Sequence, residues 1–128
     1  MAYSIERLDN PPAYLIILHQ DFDSKTHMEA YYREVIAGLD TESSPVPMIV
    51  NIVDAPFSLN ALMETTKHLL NLDVNPNNHP MMSKLIVITE NRLMKLSSDG
   101  FRKLGIVKDM HIAKSLEGAL ALLDPVTE

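Results

Sequence analysis

The sequence contains no cysteine. Disulfide bonds, thiol nucleophiles and thiolate zinc sites are therefore excluded, and the absence is typical of a protein in the reducing interior of a cell. Basic residues are also scarce: 11 Lys and Arg stand against 17 Asp and Glu, which gives a formal net charge of -6. Because nucleic-acid binding needs clustered Lys and Arg to contact phosphates, we expect no nucleic-acid partner.

Glycine and long apolar runs are scarce as well. The four glycines, Gly38, Gly100, Gly105 and Gly118, fall within or just after predicted helices, so no glycine-rich loop cradles a phosphate and we expect no cofactor. No apolar run approaches the roughly 18 residues of a membrane span, and the first residues lack a signal pattern. We therefore expect a cytoplasmic protein without a membrane span, folded as one domain over residues 1–128.

The sequence instead contains a repeated order of predicted strand, polar turn and helix. Short apolar runs at residues 14–18, 48–53 and 85–88 each end in a polar tip, and an amphipathic stretch follows each. A prolyl turn separates the first run from a weakly alternating segment at residues 4–8, which predicts an antiparallel hairpin at the edge of the sheet. A further short strand is predicted at residues 110–113.

Four helices are predicted between and after these strands. They cover about residues 24–39, 58–72, 92–104 and 116–123. The last of them is capped by Ser115 and packs five residues inward: Leu116, Ala119, Leu120, Leu122 and Leu123. The element order is thus ββαβαβαβα. It predicts an α/β fold with a mixed sheet of about five strands, antiparallel in the N-terminal hairpin, parallel in the centre and covered by about four helices.

Candidate site residues lie where the predicted strands end, because ligands and partners meet open α/β sheets at the carboxyl ends of the strands. They are His19, Asp21, Asp54, Thr89 and Glu90. A pair of His19 and a carboxylate has the groups for a general base or a ligand contact. The five histidines never occur three or four residues apart, so we expect no metal site and ordinary surface or turn positions for them.

Two pairs of adjacent apolar residues are candidates for contact surfaces. Met81 and Met82 follow a proline at the foot of a polar loop, where an exposed pair favours a lipid, a hydrophobic ligand or another subunit, and where a buried pair fills the core. Tyr31 and Tyr32 point about 100° apart on the predicted helix, so we expect only one to lie fully inward and the other to mark an interface.

The chain resembles the STAS group, which includes anti-sigma-factor antagonists and SpoIIAA-like proteins. The resemblance spans nearly the whole chain. It rests on the element order, on the 48–53 strand that leads into a leucine-rich helix, and on the closing segment Ala113-Lys114-Ser115-Leu116-Glu117-Gly118-Ala119-Leu120. It implies a non-catalytic regulatory or ligand-sensing domain that works through its surface.

The most specific motif of that group, Asp-Ser-Ser-Gly, is missing from this chain. The corresponding turn reads Asp54-Ala55-Pro56-Phe57-Ser58-Leu59. Ser58 alone stands where the group's phosphorylated serine sits, without the glycine that accompanies it. Because of this position, we include Ser58 among the candidate residues for contact with a ligand or partner.

A second set of residues is similar to the phosphoacceptor site of response-regulator receiver domains. The set is Asp21, Asp23, Asp54, Thr89 and Lys114, whose types suit Mg²⁺ coordination and an acyl phosphate. Only residues 40–47 separate the first long helix from the next strand, whereas a receiver has a further strand and helix there. A receiver-like domain is therefore the less favoured interpretation.

From these patterns we expect a non-enzymatic intracellular regulatory or sensing module that acts through protein contact, with a second copy of the chain as one candidate partner. The first alternative is a domain that binds a small molecule or a hydrophobic ligand such as a lipid at the carboxyl ends of the strands. The second is an enzyme that uses His19, Asp21, Asp54 and Glu90.

Overall fold

The computed structural model describes residues 2–9, 12–54, 79–90, 103 and 109–123. These residues form β1 (Tyr3–Asp9), β2 (Pro12–Leu18), α1 (Ser24–Leu39), β3 (Val46–Asn51), β4 (Met82–Ile88), β5 (Met110–Ala113) and α2 (Leu116–Ala121). The helices predicted over residues 58–72 and 92–104 lie outside the described residues, so two of the four predicted helices are described.

The five strands form one mixed sheet in the order β1-β2-β3-β4-β5. β1 pairs with β2 antiparallel, and β2, β3, β4 and β5 pair with one another in parallel. The predicted edge hairpin and parallel centre are therefore confirmed. A receiver domain has its parallel strands in the order 2-1-3-4-5, so this sheet does not have the receiver arrangement.

The two faces of the sheet carry separate apolar clusters, because successive side chains of a strand point to opposite faces. Met48 and Val50 of β3 belong to the cluster that packs against α1, whereas Ile49 between them belongs to the cluster with Ala119 of α2. Three consecutive buried residues in β3 thus reflect burial of both faces. None of the described helices is long and apolar enough to span a membrane.

The start of β3 differs from the prediction. A loop was predicted up to Pro47, yet β3 begins at Val46 and includes this proline. The register shifts between Val46 and Met48, and a proline, which has no N–H to donate, fits a strand at such an irregularity. The Val46 N–H donates to the Met81 carbonyl at 2.8 Å, which fixes the start of the strand beside β4.

The methionine pair belongs to the core. β4 begins at Met82, three residues before the predicted start, and the Met82 side chain is fully buried. Met81 is partly buried and packs against the same cluster as α1. Of the two alternatives stated for this pair, core filling therefore holds.

The tyrosine pair is buried as well, so the expectation that one tyrosine marks an interface is wrong. Tyr31 and Tyr32 are each 5% exposed. Residues from outside the helix supply the cover: the rings of Tyr3 and Phe22 lie 5.9 and 6.2 Å from the ring of Tyr31, centroid to centroid. Burial holds the pKa of both α1 tyrosines well above its usual range.

The last helix is correctly predicted at its start and only in part in its packing. The Ser115 side chain caps α2 by accepting a hydrogen bond from the Gly118 N–H at 3.1 Å. α2 has only six residues, however, and Leu116, Leu120 and Leu122 are 41%, 38% and 37% exposed. Ala119 is buried, and Leu123 just after the helix packs against the same cluster, so the inward position is confirmed for these two residues.

A network of charged and polar groups holds the hairpin to the end of α1. The Arg7 guanidinium donates to both carboxylate oxygens of Glu42, at 3.0 and 2.9 Å, and the Tyr14 hydroxyl donates to the same carboxylate at 2.6 Å. Tyr14 lies so close to α1 that a Cβ at Gly38 would approach its hydroxyl to 2.9 Å. The hydrogen bonds from Arg7 and then Tyr14 lower the pKa of Glu42 to about 2.

Replacing Glu42 by Gln should lower the free energy of unfolding by about 1 kcal/mol at pH 7, because Arg7 loses a charged partner that is partly screened by solvent. A carboxylate whose pKa is lower in the folded chain than its ordinary 4.5 contributes stability above pH 4.5 and loses it as the pH falls toward 2. The difference between wild type and Glu42→Gln in urea unfolding should therefore shrink between pH 5 and pH 2.

The exposed Glu6, which precedes Arg7 on β1, supplies the control. Glu6→Gln should leave stability unchanged at pH 7. If the difference in the free energy of unfolding between wild type and Glu42→Gln stays constant from pH 7 to pH 2, the assigned network is contradicted.

Candidate functional site

The parallel pairing brings the ends of four strands to one edge of the sheet. Ile17 of β2 lies beside Asn51 of β3, Asn51 beside Ile88 of β4, and Ile88 beside Ala113 of β5. The residues that follow each strand are therefore neighbours in space, although they are far apart in the sequence.

The residues that follow β2 and β3 line an open depression of about 940 Å³. Its described lining consists of His19, Gln20, Asp21, Val53 and Asp54, which we call the tip surface. The structure thus brings together three of the residues proposed from sequence: His19 and Asp21 from the end of β2, and Asp54 from the end of β3.

The loop after β2 is held from both sides. The His19 N–H donates to the Ala2 carbonyl at 2.8 Å, and the Phe22 N–H donates to the His19 carbonyl at 3.0 Å, which closes a turn. The Phe22 ring packs edge-on against the Tyr3 ring at 6.3 Å. Because the packed Phe22 ring holds this turn in place, the positions of His19 and Asp21 are fixed as well.

The first turn of α1 continues that support. The His27 ring lies 5.7 Å from the Phe22 ring, and His27 Nδ1 accepts a hydrogen bond from the Asp23 N–H at 2.9 Å. With Asp23 as the residue before the helix, Phe22 and His27 occupy the two positions of a hydrophobic staple. Sequence reasoning missed both residues, and the staple spacing is the signal that identifies them.

The turn after β3 is fixed by a side chain. Asn51, the only polar residue in its predicted strand, accepts a hydrogen bond from the Val53 N–H through its Oδ1 at 3.0 Å. This local bond ends the strand and starts the turn. It also leaves Val53 47% exposed, the largest exposed fraction among the bulky apolar residues of the described chain.

The polar groups of the tip surface are not joined to one another. Within the described ranges, no side-chain hydrogen bond or ion pair links His19 to Asp21 or to Asp54. Asp21 and Asp54 are exposed, and His19 is half-buried. The paired base predicted for an enzyme is thus not assembled in this geometry.

Thr89 and Glu90, the candidates at the end of β4, are not among the described lining residues of the tip surface. Thr89 is 2% exposed, and its N–H donates to the Ala113 carbonyl, so it extends the β4–β5 pairing. Glu90 next to it is exposed. Ser58 lies outside the described residues.

One histidine departs from the predicted surface position. His79 is buried, and its Nε2 lies 2.8 Å from an Asp40 carboxylate oxygen while its Nδ1 accepts the Met81 N–H at 3.0 Å. These bonds join the end of α1 to the start of β4, at the edge of the sheet opposite the tip surface. No group of three or more His, Asp or Glu suited to a metal ion occurs in the part of the chain that the structure describes.

Replacing Phe22 by Ala should release the turn that carries His19 and Asp21. We expect a loss of about 2 kcal/mol in the free energy of unfolding, because the ring is partly buried. Hydrogen–deuterium exchange should accelerate at residues 19–23 more than at residues 48–51. Phe22→Leu, which keeps apolar bulk, should show a smaller effect at both places, and uniform acceleration along the chain would contradict the anchoring role.

Comparison with known proteins shows the fold. No protein-family profile and no curated protein matches this sequence. Among solved structures, an uncharacterised protein of the DUF3478 family from Shewanella loihica PV-4, which has a SpoIIAA-like fold, matches with a TM-score of 0.58 and 14% identity. The match covers 96% of this chain and 93% of that one. The resemblance stated from the sequence is therefore confirmed for the fold: this chain has a SpoIIAA-like fold.

Proposed function

We propose that this chain is a non-enzymatic regulatory or sensing domain of the cell interior that acts through contact with another protein at the tip surface. The observation that carries the proposal is Val53, an apolar side chain 47% exposed within a depression whose other described lining is polar. An apolar centre with a polar rim is the usual composition of a protein–protein contact.

The rigidity of the tip surface supports this proposal. Asn51 holds the turn that presents Val53, and Phe22 anchors the turn that presents His19 and Asp21. A surface that is already ordered loses little conformational entropy when a partner binds, so more of the contact energy remains as affinity. The same order favours recognition of one partner over many.

The separation of the polar side chains supports recognition over catalysis. A general base needs a hydrogen-bonded partner that orients it, and a reacting group needs exclusion of water. His19 has no such bond to Asp21 or Asp54 within the described ranges, and the depression is open. The SpoIIAA-like fold agrees with a regulatory role, which the resemblance to the STAS group implied.

Site-specific photo-crosslinking in cells of the source organism tests the proposal. A photoreactive phenylalanine analogue at position 53 should capture a discrete protein, whereas the same analogue at position 37, an exposed alanine on α1, should not. Asn51→Ala, combined with the analogue at position 53, should reduce the crosslinking yield, because the turn after β3 loses the hydrogen bond from Asn51.

Three outcomes bear on the proposal directly. Capture of a second copy of this chain at position 53 supports contact between copies. Equal capture at both positions, or none at position 53, would refute a protein contact at the tip surface. A small molecule that co-purifies in native mass spectrometry and is lost in Val53→Arg would favour the ligand-binding alternative instead.

A further inference from the structure

We infer that the tip surface recognises a basic segment of its partner protein, in which a Lys or Arg lies next to an apolar anchor side chain. This inference rests on the proposed function and names the chemistry of the partner. Three observations on the charge and shape of the described residues support it.

Acidic side chains follow three adjacent parallel strands. Asp21 comes after β2, Asp54 after β3 and Glu90 after β4, and all three are exposed. Neighbouring strands lie about 4.8 Å apart, so the three carboxylates are distributed along one edge. Within the described ranges none of them forms an ion pair, and their charge is open to a partner.

The charge of the whole chain is concentrated in the same part of the sequence. Residues 1–54 contain nine Asp and Glu but three Lys and Arg, whereas residues 55–128 contain eight of each. The described lining of the tip surface itself contains two acidic side chains, Asp21 and Asp54, and no Lys or Arg. A surface lined in this way attracts a basic partner and repels an acidic one.

Val53 determines the second feature of the partner. It lies in the chain directly before Asp54, so an apolar side chain packed on Val53 places its neighbours within reach of a carboxylate. The depression is open, which suits a peptide segment laid across it better than a small molecule that must be enclosed. A basic residue beside an aliphatic or aromatic residue satisfies both requirements.

Selection of phage-displayed random peptides on the immobilised full chain tests this inference. Enriched peptides should carry Lys or Arg within two positions of a large apolar residue. A synthetic peptide of the enriched sequence should bind the double variant Asp21→Asn/Asp54→Asn about fivefold more weakly, and Val53→Ser should weaken it to a similar extent. Raising the salt concentration from 0.05 to 0.5 M should also weaken binding, because exposed charge pairs are screened.

The double variant Glu6→Gln/Glu117→Gln is the matched control, because it removes two exposed acids outside the tip surface and changes the net charge equally. Its affinity should stay within twofold of wild type. Enrichment of acidic or uncharged peptides, no enrichment, or an equal loss of affinity in both double variants would overturn the inference.

Identifying the segment of the partner protein that is crosslinked at position 53 distinguishes failure of this inference from failure of the proposed function. A basic segment supports both. An acidic or uncharged segment overturns the inference and leaves the proposed function standing. Absence of any capture at position 53 overturns the proposed function, and the inference that depends on it fails with it.

Discussion

The parallel pairing of β2 with β3 determines where the hairpin, α1 and the tip surface lie. The register from Tyr14 beside Met48 to Ile17 beside Asn51 makes the two strands end at one edge. The 16 residues of α1, about 24 Å long, return the chain from that edge to the start of β3. A shift of this register by one residue would turn the buried side chains of β2 outward and separate the two halves of the tip surface.

The two ends of the sheet differ in how their polar groups are used. At the end where β2 starts, Arg7, Tyr14 and Glu42 satisfy one another, and His79 binds Asp40. These contacts fasten the hairpin and β4 to the end of α1. At the other end, Asp21 and Asp54 are exposed and make no ion pair within the described ranges. Polar groups that are already paired stabilise the fold, whereas unpaired exposed ones remain available for recognition.

The sequence predicted the elements whose signals are local. The hairpin, the parallel strands, α1 and the Ser115 cap follow from turn residues, apolar periodicity and a capping side chain, and the structure has each of them. The tip surface was predictable in part, because polar residues after parallel strands converge by topology alone. His19, Asp21 and Asp54 were found in this way.

The errors concern contacts between residues distant in the sequence. Burial of both Tyr31 and Tyr32 depends on rings contributed by Tyr3 and Phe22, which helical periodicity does not reveal. Pro47 enters β3 where the register shifts. Leu116 and Leu120 of α2 stay exposed, whereas Ala119 and Leu123 pack against the sheet. The sequence predicts Val53 at the end of a buried strand, whereas in the structure Val53 lies in the turn closed by the hydrogen bond from its N–H to Asn51 and is exposed.

The contact that we propose at the tip surface can be tested by hydrogen–deuterium exchange of the free chain and of its complex with the protein captured at position 53. We expect slower exchange in the complex at residues 19–22 and 52–54, with residues 40–46 and 79–81 unchanged. Protection confined to residues 116–122, where Leu116, Leu120 and Leu122 are exposed, with no change at the tip surface, would refute this contact.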